Sequence, residues 1–235
     1  MREIVCAVNE IQRPSDSSKF KIIGLSDAEL MSNFFNQKFG NCYLNTYFDS
    51  EPKLDIGNLS NRNFASADLL ISSDVYEHVF FPLHNSILGS FNLLKPGGHL
   101  VLTMPWNTWQ DSVEHYPWMV SYSVHQVSDG IYSVIGIDQS GSERIVTNPV
   151  FHGGPGNTLE MRKININVLV HELVRVGFIE IKIHDQNRPE FGIRRADGVM
   201  GVVTARKPHA VDNELLQSTF LKSIQRIRLK FQKVT

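Results

Sequence analysis

Cysteine is nearly absent: Cys6 and Cys42 are the only two in 235 residues. A secreted disulfide scaffold carries more thiols in a shorter chain, and a structural zinc centre takes about four closely spaced ligands. Both readings are excluded, and the two thiols are expected reduced, in or near the core. Charge of one sign is lacking too, since 23 basic residues face 24 acidic ones for a net charge of −1. That balance supplies no basic face for nucleic acid. No apolar run approaches the roughly 20 residues of a membrane helix. Arg2, Glu3, Glu10, Arg13 and Asp16 break up the stretch where a secretory signal would keep an apolar core. These absences predict a soluble cytoplasmic protein without a transmembrane segment. Internal repeats, a G-x-S-x-G nucleophile elbow and a Walker A loop are missing as well.

What is present is a rhythm. Ile4, Val5, Val8 and Ile11 share one face of a short helix over 2–11. An apolar strand follows over 20–25, then a helix over 28–39 that stops at Gly40, and a second strand over 42–48. A short third strand is expected over 53–56, and further strands over 68–72 and 99–104 flank a helix over 82–94. Strand and helix alternate, which argues an α/β fold with a mostly parallel sheet. The segment 106–160 breaks the rhythm with Trp106, Trp109 and Trp118 and a hairpin, 132–137 with 144–148, around Asp138-Gln139-Ser140-Gly141. The tryptophans suit either the wall of an acceptor pocket or the insert's own small core. The rhythm resumes with a helix over 165–176, on which Val168, Leu169, Leu173 and Val176 face inward and which Gly177 closes. Strands over 178–184 and 199–205 complete the sheet.

The most informative block runs from 68 to 105. A strand exits into Ser73-Asp74-Val75-Tyr76-Glu77-His78-Val79, and a helix then leads to Leu94-Lys95-Pro96-Gly97-Gly98 and another strand. Ligands on open α/β sheets sit beyond the carboxyl ends of the strands, where 73–78 falls. This order and spacing resembles the class I S-adenosylmethionine-dependent methyltransferases, in particular the type 11 group. Tyr47-Phe48-Asp49-Ser50-Glu51-Pro52 and Leu54-Asp55-Ile56-Gly57-Asn58-Leu59 resemble two further segments of that group. Val150-Phe151-His152-Gly153-Gly154-Pro155 is similar to a Y-H-G-D-P element associated with members near glycan-assembly enzymes. The resemblance covers about 20–207. It implies a Rossmann-like seven-stranded sheet, mostly parallel, with an antiparallel last strand and helices on both faces. It also implies one methyltransferase-like domain over 1–207, with 106–160 a substrate-side cap, and S-adenosylmethionine as cofactor.

The chain departs from that pattern at its first strand. Relatives carry an acidic residue there and open into G-x-G-x-G, because the backbone must approach the cofactor closely. Here Lys21-Ile22-Ile23-Gly24-Leu25-Ser26-Asp27-Ala28-Glu29 keeps Gly24 alone. Asp27 suits the amino group of the cofactor or, equally, a helix N-cap. Thr46 holds the usual place of the ribose-binding acid, so Asp49 is the candidate for the diol. Asp55 is placed to accept from the adenine amino group, with Ile56 against the ring. Ser73 and Asp74 are candidates for the polar end of the ligand or for the acceptor. His78 and His152 are the catalytic candidates, since an imidazole titrates near neutrality and can take a proton from an attacking hydroxyl. The alternative for Glu77-His78 is a structural one, closing the loop.

No metal site is expected. His171-Glu172 begins like H-E-x-x-H, but Arg175 stands where the second histidine belongs. Over 212–233, Leu216, Phe220, Ile224, Ile227 and Phe231 form one apolar stripe. This C-terminal amphipathic helix (208–235) is a candidate surface for docking, homodimer formation or partner contact. The leading reading is methyl transfer, at oxygen, to a small-molecule or saccharide-linked acceptor. The alternative is a methyltransferase-like binding or assembly subunit that has lost catalysis. A dinucleotide or nucleotide-sugar enzyme is disfavoured by the missing glycine fingerprint.

Overall fold

The computed structural model describes residues 1–12, 19–194, 201–209 and 212. The chain opens with helix α1 (Arg2–Glu10), which buries Ile4, Ala7 and Val8. Strand β1 (Ile22–Leu25), helix α2 (Glu29–Phe39) and strand β2 (Tyr43–Thr46) come next. After a loop come β3 (Ala67–Ser73), α3 (Leu83–Leu93) and β4 (Leu94–Thr103). An inserted region then contributes eight short strands: β5 (Trp106–Asn107), β6 (Val113–Glu114), β7 (Met119–Ser128), β8 (Ile131–Asp138), β9 (Glu143–Val146), β10 (Phe151–His152), β11 (Thr158–Leu159) and β12 (Arg162–Asn165). Helix α4 (Ile166–Val176), β13 (Ile179–His184) and β14 (Val202–Arg206) complete the described chain. The amphipathic helix expected over 212–233 lies outside the described residues, Asp212 excepted. Among the described residues no helix is long and apolar enough to cross a membrane.

The central sheet has the order β13-β14-β4-β3-β1-β2. Strands β1 to β4 are mutually parallel, and β14 runs antiparallel to both of its neighbours. Period-2 alternation sorts the strand residues onto two cores. Ile22, Leu69, Ile71 and Val101 face α1 and α2. Ile23, Leu70, Leu100, Leu102 and Val203 face α3 and α4. Each fully buried aliphatic side chain contributes roughly 1.5–3 kcal/mol, so this double-sided apolar sheet is the principal source of stability.

The sheet has six strands among the described residues, not the expected seven. Lys53 makes one isolated bridge with Tyr47. The chain then turns at once, because the Asp55 carboxylate accepts from Gly57 N and Asn58 N and caps a 3-10 turn, Ile56–Asn58. Side-chain competition for the backbone thus ends extension where a short third strand was expected. The Lys95–Gly98 turn lies inside β4 as an irregularity. Ala67 pairs with Leu94, and pairing resumes one bulge later at Leu69 with His99. Helix α4 follows expectation at its ends: the Asn165 side chain caps Asn167 N, and Gly177 closes it at φ 111°. Ile166, Leu169 and Leu173 are buried, but Val168 is exposed, against expectation. Leu169, Leu173 and Val176 face inward as expected, and Ile166 takes the place expected of Val168.

In the insert, β7, β8 and β9 form an antiparallel sheet, one strand more than the hairpin read from the sequence. Asp138 makes the β8–β9 turn, its Oδ1 accepting from Ser140 N at 2.9 Å and Ser142 N at 3.1 Å. Trp106 is buried with the main core and donates to Gly201 O, whereas Trp118 packs in the insert's own cluster and Trp109 is exposed. The insert is fastened by Arg162 on β12. Its side chain is 1% exposed, and its Nε donates to Glu114 Oε1 at 2.9 Å and Oε2 at 3.1 Å. Its Nη1 donates to the carbonyl of Tyr76, on the loop leaving β3.

Removing one partner of a buried pair strands the other charge, at about 3–5 kcal/mol. Glu114→Ala is therefore expected to lower stability by that amount in urea unfolding. The double variant Glu114→Ala/Arg162→Met should recover part of the loss, because no unpaired cation is left. A loss under about 1 kcal/mol for Glu114→Ala would show that the clamp is not stabilising.

Candidate active site

The topology points to a candidate site before any side chain is considered. From β1 the chain moves outward to β2 and then returns to pair β3 on the other side of β1, so strand order reverses between β1 and β3. A crevice opens at the carboxyl ends of strands flanking such a reversal. Both exit loops there carry a non-glycine residue in the left-handed region, Ser26 at φ 51° after β1 and Asp74 at φ 53° after β3. Strained backbone of this kind clusters at ligand sites. Ser26 stands two residues after Gly24, where the second glycine of a G-x-G-x-G loop would fall, and its left-handed φ is one that glycine adopts without cost.

Asp74 is held firmly. Its N–H donates to Thr103 O at 3.0 Å, and its Oδ1 accepts from the Thr103 hydroxyl at 3.0 Å. Ser73, paired with Thr103 across β3 and β4, is half-buried beside it. Asp49 is exposed on the loop after β2. Asp55 spends Oδ1 on the turn it caps. Ile56 is buried in the main core, with its carbonyl tight against Gly89 of α3.

Gly24 and Asp27 face each other inside the protein. A Cβ on Gly24 would lie 2.2 Å from Asp27 Oδ2 and 2.7 Å from the Tyr43 hydroxyl, so glycine is needed here to seat the Asp27 carboxylate. That carboxylate is buried and accepts from Tyr43 Oη at 2.6 Å, while the Asp27 backbone is bracketed by the Asn45 amide. Thr46 is tied down as well, its hydroxyl donating to Gly24 O at 2.8 Å.

The two histidine candidates, distant in sequence, meet in space. His152 lies on β10, whose hairpin with β11 turns through Gly153, Gly154 and Gly156, all at positive φ. His78 lies on the loop after β3. Their ring centroids are 5.4 Å apart. Glu77 lies between them, with Oε1 3.1 Å from His152 Nδ1 and 3.8 Å from His78 Nε2. The segment 159–162 holds this loop rigidly. Leu159 O pairs with His78 Nδ1 at 2.8 Å, Met161 N donates to Glu77 O at 2.7 Å, and Arg162 reaches Tyr76 O.

Burial pushes the Glu77 carboxyl up to about 8, with Asp74 and Glu160 adding to the rise and Arg162 opposing it. Burial likewise lowers the His78 imidazole, and His152 adds to that. A neutral His78 near neutral pH can accept a proton or donate a lone pair. Glu114, Thr103 and Arg162 were not among the residues singled out in the sequence. Glu77 was visible only as the neighbour of His78, and nothing local marks Arg162 as buried.

A hollow at the amino end of β4, lined by Gly97, His99, Arg206 and Glu180 among others, lies away from the carboxyl ends of the strands.

No protein-family profile matches the sequence, and no curated protein matches it. Solved structures do match in fold. An S-adenosylmethionine-dependent methyltransferase from Mesorhizobium loti is 16% identical, covering 88% of this chain and 98% of its own, with a TM-score of 0.50. A putative one from Listeria monocytogenes is 11% identical, covering 88% and 99%, also at 0.50. Phosphoethanolamine N-methyltransferase 2 of Haemonchus contortus, in complex with phosphomonomethylethanolamine and S-adenosylhomocysteine, is 10% identical over 88% of this chain and 52% of its own, at 0.51. The fold is that of the class I S-adenosylmethionine-dependent methyltransferases.

Burial raises the Asp27 carboxyl from 3.8 to about 7, the hydrogen bond from Tyr43 offsetting part of the rise. Between those two values the folded protein holds a proton that the unfolded chain releases, so stability falls as pH climbs through this window and levels off above it. Asp27→Asn, which keeps an acceptor for Tyr43 and carries no charge, should gain stability relative to the parent by up to roughly 4 kcal/mol between pH 4 and pH 8. Chemical denaturation at both pH values measures this. An identical difference at the two would show that Asp27 ionises normally.

Proposed function

We propose that the chain binds S-adenosylmethionine in the crevice between the exit loops of β1 and β3. It then transfers the methyl group to a small-molecule or saccharide-linked acceptor, at oxygen. The observation that carries this reading is the pair of left-handed residues, Ser26 and Asp74, flanking the reversal point of the sheet. The residues present fit such a ligand. Gly24, Ser26 and Ala28 put small residues at alternate positions along the exit from β1, with Ser26 and Ala28 exposed. Asp49, Asp55 and Asp74 lie on loops leaving the carboxyl end of the sheet. An acceptor-rich rim suits a ligand that offers an ammonium group, two ribose hydroxyls and an aromatic amine.

In this reading Asp74 and Ser73 hold the amino-acid end, Asp49 the ribose and the remaining oxygen of Asp55 the adenine amine. Gly24, Asp27 and Ile56 shape the floor from within. The bound cofactor supplies an electrophilic methyl group on a sulfonium. The protein's task is then alignment, exclusion of water and removal of one proton from the acceptor. His152, half-exposed on its glycine hairpin, faces the acceptor side, and His78 backs it. The insert over 106–160 serves as the acceptor-side cap, and the saccharide class rests on the likeness of 150–155 to the Y-H-G-D-P element.

One observation favours the second reading, a binding or assembly subunit without catalysis: the Asp27 carboxylate occupies the space over Gly24. Calorimetry with S-adenosylmethionine and S-adenosylhomocysteine separates the two. Heat of binding from both ligands is expected, and a folded protein that binds neither at millimolar concentration would sink the methyl-transfer reading. Asp74→Asn tolerates the left-handed backbone and keeps its bond from Thr103. It should weaken binding by about 1–3 kcal/mol through loss of a charged acceptor. Unchanged affinity would remove Asp74 from the site.

A further inference from the structure

We propose that Glu77, His78 and His152 form a binding site for one divalent transition-metal ion of the zinc type. One ligand atom from each residue lies within 4.8 Å of the other two. The Glu77 to His152 and Glu77 to His78 distances, 3.1 and 3.8 Å, bracket the separation of about 3.3 Å that bonds of 2.0–2.1 Å impose in a tetrahedral site.

The second observation is an orphaned carboxylate aimed into this cluster. The Glu77 side chain is 0% exposed, and neither of its oxygens has a hydrogen-bond partner. His152 Nδ1 is likewise buried without one, its 3.1 Å approach to Glu77 lacking hydrogen-bond alignment. Buried groups of this kind are costly unless something pairs them. A cation at the point where the three lone pairs meet would satisfy all of them.

The surrounding groups already do what outer partners of a metal site do. His78 Nδ1 is held by the Leu159 carbonyl at 2.8 Å, which fixes the ring and leaves the Nε2 lone pair directed at the cluster. The Glu77 main chain is pinned by Met161, so its carboxylate cannot swing away. Two imidazoles and one carboxylate are a donor set for zinc, iron or cobalt rather than for magnesium or calcium. Three protein ligands leave further positions open, and His152 is the most exposed of the three. Those positions therefore face the side from which an oxygen-bearing molecule would approach. The sequence concealed this site because its ligands come from two separate loops. The metal-like fragment His171-Glu172 lies on α4, where Glu172 pairs with His84 instead.

This inference assigns His78 and His152, the two histidines of the proposed methyl transfer, as metal ligands in place of proton acceptors, and it does not depend on that reading. The untagged full chain, stripped with chelator, is titrated with Zn2+ alone by calorimetry and with Co2+ alone by visible absorption. One ion per chain is expected, with a cobalt d–d band. His152→Ala removes a partly exposed ligand and Glu77→Gln a buried one. Each should weaken Zn2+ binding by at least about tenfold and abolish the band, with His125→Ala, on an exposed strand, as the unaffected control. If Glu77→Gln does not fold, His152→Ala decides alone. Failure of the parent to bind Zn2+, or equal binding by the folded His152→Ala protein, overturns the site. Metal uptake without S-adenosylmethionine binding retains the site and rejects methyl transfer, and the reverse result does the opposite.

Discussion

The site depends on a buried guanidinium. Arg162, at the start of β12, reaches the carbonyl of Tyr76 with one nitrogen and Glu114 with another, and its Nη2 has no partner at all. A cation so far from water is stable only if its few acceptors stay put. Glu114, the tip of β6, is therefore drawn in from a half-exposed position, and the loop leaving β3 is drawn down onto 159–162. Met161 N and Leu159 O complete a short zipper along Tyr76, Glu77 and His78. This strip joins the insert to the loop leaving β3. The hairpin that carries His152 belongs to the insert, so the meeting of His152 with Glu77 and His78 is a consequence of the clamp.

Beneath the clamp the sheet provides rigidity of a different kind. Apolar residues on both faces of β1, β3 and β4 lock the strand registers, since a slip of one residue would exchange the two cores. That lock fixes where Ser26 and Asp74 emerge. Both residues adopt backbone conformations that an L-side chain does not choose freely, and Asp74 is kept there by hydrogen bonds with the Thr103 carbonyl and hydroxyl. Local strain is maintained by global packing, the arrangement expected where a ligand must approach main chain closely.

Much of this was legible in the sequence because its cause is local. The alternation of strand and helix, Gly177 as a helix end, and the loop 73–78 between strand and helix are written in neighbouring residues. What could not be read is long-range. The stretch 53–56 has Leu54 and Ile56 at alternate positions, but the carboxylate at 55 diverts it into a turn. Val168 has the composition of a core residue and the wrong angular position. Arg162, between Met161 and Lys163, gives no sign that its side chain will be enclosed, because enclosure comes from β6 and from the loop after β3. The same holds for Glu77. The sequence offers it with His78 as a residue closing the loop, and only the arrival of β10 and β11 strips it of water.

The carboxylates of the crevice are then coupled by electrostatics as well as by chain. Asp74 and Glu77 sit three residues apart on one loop, and the charge on Asp74 adds to the rise in the Glu77 carboxyl, as does Glu160. Burial beside two other acids disfavours the charged form of Glu77 unless positive charge lies close to it. Arg162 supplies one cation, but its donors are directed at Glu114 and at a carbonyl rather than at the Glu77 carboxylate. His115 engages Glu160 at 3.3 Å. Asp74 has the Thr103 hydroxyl, a neutral donor. The balance of charge is thus left incomplete at Glu77, whose buried carboxylate has no hydrogen-bond donor. A buried acceptor left unpaired near the end of the strands is one that a donor or a cation would satisfy.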